Sequence, residues 1–199
     1  MLKRLFLTAL IAAAPAAPHQ ARAIYLSEDG ATIWLRGEIE KGDAEAFETF
    51  LRRRRAAPLK VIYLDSPGGV IRDGMIIGLM VRKAGLDTAV KAQTTECNSA
   101  CTLIFAGGVR RHNIGGDKIT SGLDGFTGLG YHPASTQGDA VKFSLKSPGG
   151  TDLMAKFFSL MGQPGAARFL ARGASIDTIY RPPGRETLEV RVATSLTAP

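Results

Sequence analysis

The chain has 199 residues, of which 45% are hydrophobic and 22% charged, with 23 glycines and a formal net charge of +7. That length suits one domain with a sizeable core, the apolar fraction is ordinary for a soluble globular protein, and nothing in the composition suggests disorder at large. Three of the basic residues, Lys3, Arg4 and Arg22, precede Ile24 with no acidic residue among them, so the remainder of the chain is only mildly basic.

Residues 1–23 read as a secretory signal peptide. Met1-Leu2-Lys3-Arg4 is a charged start, Leu5 to Ala14 an apolar run, and Ala21-Arg22-Ala23 a small-x-small cleavage site. The apolar run is too short to span a bilayer and is followed by Pro15 and Pro18. Residues 24–199 are therefore expected to form a single periplasmic or secreted domain, with no membrane span after cleavage. Ile24 to Leu35 reads as a hairpin turning at Glu28-Asp29-Gly30. Asp43 to Arg55 reads as a helix, with Asp43 as cap and Ala44, Phe47, Phe50 and Leu51 on one face. Arg52 to Arg55 close that helix, where cations suit the negative end of its dipole. No aromatic residues interleave them, so no nucleic-acid partner is expected.

Leu59 to Leu64 is a β-rich apolar run, read as a buried parallel strand, and it ends in Asp65-Ser66-Pro67-Gly68-Gly69. A helix over Arg72 to Lys83 and a strand over Thr88 to Ala92 follow. Strand, helix, strand, helix predicts an α/β fold with a mainly parallel sheet, whose ligand site lies beyond the carboxyl ends of its strands. Gly68-Gly69 and Ser99 both fall at such ends. Glycines there let a substrate approach and leave main-chain N–H groups free to donate.

Ser99 runs directly into an apolar helix, Ala100 to Phe105. Its hydroxyl is placed beside free helix N–H groups, which suits a nucleophile; Asn98-Ser99 also suits an ordinary helix cap. Cys97 and Cys101 flank it. If the segment between them is helical, their Cα atoms lie about 6 Å apart, within disulfide range. In an oxidising compartment a bond is expected between them, fixing the Ser99 turn. Their spacing is neither a zinc pattern nor Cys-x-x-Cys, so neither metal binding nor thiol exchange is expected.

His112 to Gly130 is glycine-rich and reads as a long loop or short strands, with His112 on the surface. In Tyr131-His132-Pro133 a proline fixes a histidine at the end of an extended segment, either as general base for Ser99 or as a buried imidazole bonded to a carbonyl. Ser147-Pro148-Gly149-Gly150 reads as a plain turn. Thr151 to Met161 and Gly165 to Arg172 read as helices, Ser175 to Tyr180 presents Asp177, and Thr197-Ala198-Pro199 reads as a fraying end.

With these residues in view the chain resembles the ClpP/crotonase superfamily, in particular ClpP-like serine peptidases and their small exported relatives. Ile62 to Met75, with Ser66-Pro67-Gly68-Gly69 at its centre, is similar to the family's strand, turn and helix; Ser99 before an apolar helix and Ala106-Gly107-Gly108 lies where those peptidases carry the nucleophile. Tyr131-His132-Pro133 resembles the segment bearing their histidine, and Asp177 to Tyr180 the one bearing their aspartate. The resemblance implies a spiral of ββα units carrying a Ser99, His132, Asp177 triad, with an oxyanion hole from Gly69 or Gly68 and from Ala100, no cofactor, a peptide or protein substrate and a homo-oligomer. It leaves three alternatives: a non-catalytic module binding a peptide or protein in the same cleft, an acyl-CoA enzyme, and a Ser99 assisted by Lys118, Lys142 or Lys146.

Overall fold

The computed structural model describes residues 24–53, 60–120, 127–137, 144–146, 148–173 and 178–199. The expected signal peptide and Asp177 lie outside them. Strands β1 (Tyr25–Asp29) and β2 (Thr32–Arg36) form the expected hairpin, with Gly30 at φ 55° in its turn. Helix α1 (Asp43–Arg53) buries Ala44 and Phe47. Its first turn is capped from outside, because Asp73 Oδ1 accepts the N–H groups of Gly42 and Ala44 at 3.0 and 3.1 Å. Asp43, the expected cap, instead folds its carboxylate back onto the N–H groups of Glu40 at 2.7 Å and Ile24 at 3.3 Å.

Strand β3 (Val61–Asp65), helix α2 (Ile71–Lys83) and strand β4 (Asp87–Lys91) follow as the expected parallel unit. A short strand β5 (Glu96–Asn98), not anticipated from the sequence, leads through Ser99 into helix α3 (Ala100–Gly107), every residue of which is buried. Its last carbonyls therefore need donors inside the protein. Arg82 supplies three bonds, to Ala106, Gly107 and Gly108, and Gln163 Nε2 a fourth, to Ala106 at 2.9 Å. Helices α2 and α3 touch backbone to backbone, because a Cβ on Gly74 or Gly78 would lie 2.6 Å from the carbonyl oxygens of Ala100 and Leu103. Small residues on α2 thus set where the start of α3 sits.

The glycine-rich stretch resolves into β6 (Arg111–Ile114), a 3-10 turn at Gly116–Lys118 and β7 (Gly128–Gly130). Strands β1-β2-β3-β4-β6 form one five-stranded sheet, parallel except at β1, and β5 pairs with β7 in a second, parallel pair. Strands β8 (Ser135–Gln137) and β9 (Ser144–Lys146) form a hairpin. Helix α4 (Pro148–Leu160) begins inside the segment expected as a plain turn: Pro148 is a favourable first helical residue, having no N–H to leave unpaired. Helices α5 (Ala167–Arg172) and α6 (Gly184–Glu189) follow.

Two surface expectations are overturned at the C-terminus. Ser195 to Thr197 strap β6 where fraying was expected from Thr197 on, with Asn113 N–H donating to Ser195 O at 2.9 Å and Gly115 N–H to Leu196 O at 3.0 Å. Under that strap His112 is 4% exposed and its Nδ1–H donates to Thr197 O at 3.0 Å. Arg111 is buried beside it and donates to Val192 O and Arg191 O, and burial presses its guanidinium down to about 10. The polar letters around His112 pointed outward because nothing in them signals the strap.

Candidate active site

A cleft of about 740 Å³ opens at the carboxyl ends of β3 and β5. Gly68, Gly69, Ser99 and His132 all line it, with Ile39, Val70, Ile71, Ala134, Leu153 and Ile179 as apolar walls and Glu38, Glu40, Lys41 and Arg72 as its charged members.

Ser99 is the N-cap residue of α3 by position, yet its hydroxyl makes no capping bond. Its backbone is at φ 51°, ψ −119°, a left-handed conformation that costs a non-glycine residue about 1–3 kcal/mol. Surrounding bonds impose it. Ser99 N–H donates to Gly130 O at 2.9 Å, Ser99 O accepts from the Thr102 N–H and hydroxyl at 2.9 and 2.6 Å, and Asn98 N–H donates to Ser66 O at 3.1 Å. The cap reading therefore fails on geometry: a strained strand-to-helix turn lifts the hydroxyl away from the helix and into the cleft. The same logic presents nucleophilic serines elsewhere.

The Cys97–Cys101 disulfide is formed, with Cα atoms 5.1 Å apart. This is shorter than the helical spacing anticipated, because Cys97 is on β5 and only Cys101 is helical, so the bond spans the strand-to-helix turn itself.

Facing Ser99 is the turn after β3. Gly68 and Gly69 sit at φ 104° and 132°, and a Cβ on Gly68 would lie 2.7 Å from Asn98 O and 2.8 Å from Ser99 Cβ. Only glycine lets these turns close on one another. Ile39 brackets Gly69, its N–H donating to Gly68 O at 2.7 Å and its carbonyl accepting from Val70 N–H at 2.8 Å. Gly68 N–H is occupied by Ser66 Oγ at 3.2 Å. The N–H groups of Gly69 and Ala100 have no acceptor among the described residues. They are two donors beside Ser99: Gly69 lines the cleft with it, and Ala100 follows it directly in the chain.

His132 is 4% exposed. Its Nδ1–H donates to Pro133 O at 2.7 Å, since a carbonyl can only accept, which leaves the Nε2 lone pair free. Burial lowers its pKa and the Pro133 bond opposes that, so the ring is neutral at neutral pH. Ser99 Oγ and His132 share the cleft without a hydrogen bond between them. Gly173 packs against the His132 backbone, and Tyr180 and Tyr131 exchange both backbone bonds, at 2.8 and 2.9 Å. Gly173 and Tyr180, described residues on either side of Asp177, thus pack against His132 and pair with Tyr131 respectively. Of the alternative lysines, Lys118 is exposed and does not line the cleft, Lys142 lies outside the described residues, and for Lys146 only its place on β9 is described.

Beneath Ser99 lies a polar chain that the sequence did not disclose. Asn98 Nδ2 donates to Glu96 Oε2 at 2.6 Å, and Arg181 Nη1 donates to Asn98 Oδ1 at 3.0 Å and Gly128 O at 3.2 Å. Among the described residues no group of His, Cys, Asp and Glu side chains could hold a metal ion, and no helix is long and apolar enough to cross a membrane.

No family model matches the chain, and no curated protein does. Solved structures do match. The 1510-N membrane-bound stomatin-specific protease, as a serine-to-alanine variant, is 17% identical over 81% of this chain and 76% of that one, with a TM-score of 0.59. A lysine-to-alanine variant of the same protease, in complex with a substrate peptide, has 17% identity and a TM-score of 0.58 over 81% and 72% of the two chains. A putative enoyl-CoA hydratase from Streptomyces avermitilis is 10% identical, with a TM-score of 0.50 over 90% and 69%. At these identities the likeness is one of fold.

Proposed function

We propose that this chain, which has the ClpP/crotonase fold, is an exported serine hydrolase that cleaves short or unfolded peptides. One observation carries the reading: the Ser99 hydroxyl, held in a strained turn and kept from capping its own helix, opens into the same cleft as the neutral imidazole of His132. In the reaction His132 Nε2 takes the Ser99 proton as Oγ attacks the scissile carbonyl. The oxyanion is received by the Gly69 and Ala100 N–H groups, His132 returns the proton to the leaving amine, and water then releases the acyl group by the reverse steps. Asp177 is the third member that the resemblance assigns. The substrate complex closes the Ser99–His132 bond, as catalytic bonds commonly tighten only with substrate in place. The signal-peptide-like start and the disulfide support a periplasmic or secreted location.

The unmade Ser99–His132 bond favours a second reading, a module that binds a peptide without cutting it. Acyl-CoA chemistry gains no support from the described residues of the cleft, where Glu38 and Glu40 stand among Lys41 and Arg72 and set no purely basic surface for a nucleotide. A fluorophosphonate probe with intact-mass readout separates the first two. The hydrolase reading expects one adduct on the oxidised chain and none on Ser99→Ala or His132→Ala; a folded wild type that takes no adduct leaves the binding module.

A further inference from the structure

Arg181 is a charged residue that the mechanism leaves unused. It is 3% exposed, and a guanidinium is not buried without strong partners. Its Nη1 bridges Asn98 Oδ1 on β5 and Gly128 O on β7. The Glu96 carboxylate, held by Asn98 Nδ2, supplies its counter-charge. Gly130, between them, has no room for a Cβ, which would collide with Asn98 Oδ1 and come within 3.0 Å of Arg181 Nη1.

The elements clasped in this way carry both halves of the proposed chemistry. Asn98 immediately precedes Ser99. Gly130, whose carbonyl holds the Ser99 N–H, is two residues before His132. Tyr180, adjacent to Arg181, exchanges both backbone bonds with Tyr131, adjacent to His132. Arg181 is thus anchored at its backbone to the histidine strand and at its side chain to the serine strand.

Resting on the hydrolase reading, we propose that Arg181 is a positioning residue: through Asn98 and Gly128 it fixes the distance between Ser99 and His132. Both bonds leave one nitrogen, Nη1, whose two N–H groups lie fixed in the guanidinium plane; a lysine stem is one atom shorter and carries a freely rotating ammonium, so Arg181→Lys keeps the charge and loses the geometry.

The test is the rate of fluorophosphonate labelling of the oxidised chain, resolved into the saturating rate and the half-saturating probe concentration, alongside a thermal melt. Displacing a catalytic group by about 1 Å costs on the order of 100-fold. Arg181→Lys is therefore expected to lower the saturating rate by roughly 10- to 100-fold while half-saturation moves less than about twofold. Asn98→Ala should do the same, and combining the two should give much less than the product of the single losses, since both break the shared Arg181–Asn98 contact. Labelling of a folded Arg181→Lys chain at the wild-type rate overturns the proposal, and so does a double variant whose losses multiply. If Arg181→Lys fails to fold, Asn98→Ala decides alone, with an unchanged saturating rate refuting the role. A folded wild type that takes no label removes the hydrolase reading itself, and this role with it.

Discussion

Removing the Cys97–Cys101 disulfide, by substituting both cysteines with alanine, separates what the bond does for the fold from what it does for Ser99. The two residues are four apart in sequence. So short a closed loop limits the entropic contribution to about 2 kcal/mol, which for a chain of this size is a fall of about 4–8 °C in Tm. The site should lose more than that stability change suggests. Ser99 is held at φ 51° against a cost of about 1–3 kcal/mol, and the disulfide is the covalent member of the set that holds it. Release of one to two kcal/mol of that strain lowers the population of the exposed-hydroxyl turn by about 5- to 30-fold. Fluorophosphonate labelling of Cys97→Ala/Cys101→Ala should slow by that factor at 25 °C, well below the melt, and dithiol reduction of the wild type should reproduce it. A folded double variant that labels at the wild-type rate would refute the reasoning, because the hydrogen bonds of this turn with the Gly130 and Ser66 carbonyls and with Thr102 would then be sufficient.

Gly68→Ala should abolish labelling and lower Tm, since the new Cβ meets Asn98 O and Ser99 Cβ at a φ that alanine does not favour; a labelled, fully stable variant would contradict this geometry. Gly78→Ala forces apart the α2 and α3 backbones and should destabilise by about 1–3 kcal/mol in urea unfolding, with no change in midpoint arguing against their close contact. The pH profile of labelling should be flat through neutrality and fall on the acid side with an inflection below 6.5, because burial favours the neutral form of His132; an inflection above neutrality would mean another base. Stability follows the same sign: as pH falls through the ordinary imidazole value the unfolded chain takes up a proton that folded His132 resists, so His132→Gln should flatten the acid limb of a Tm–pH curve.

Much of the parallel sheet was legible because β3, α2 and β4 announce themselves by an apolar run, a 3.6-residue period and a glycine stop. The convergence of Gly68 and Ser99 followed from chain direction alone. What escaped was held by long-range bonds. Strand β5 is three residues long and pairs with β7 across a glycine-rich stretch; nothing local marks either strand. His112 looked exposed because the strap that buries it comes more than eighty residues later, and Asp43 looked like a cap because the competing carboxylate, Asp73, belongs to another helix. Arg181 precedes two prolines with nothing local to mark it, and its partner Asn98, before an apolar run, also suits an ordinary helix cap. Buried polar residues were thus the least readable class, their partners being set by the fold and not by neighbours in sequence.

The Asp43 carboxylate has a consequence at the other end of the chain's life. Its Oδ2 accepts the Ile24 N–H at 3.3 Å and that of Glu40 at 2.7 Å, one residue from the Ile39 that brackets Gly69. In the uncleaved chain that Ile24 nitrogen is a neutral amide. If the proposed cleavage falls after Ala23, that nitrogen becomes an α-ammonium ion beside an almost fully buried carboxylate, and a new ion pair with Asp43 would tighten the edge of the cleft from a terminus that did not previously exist.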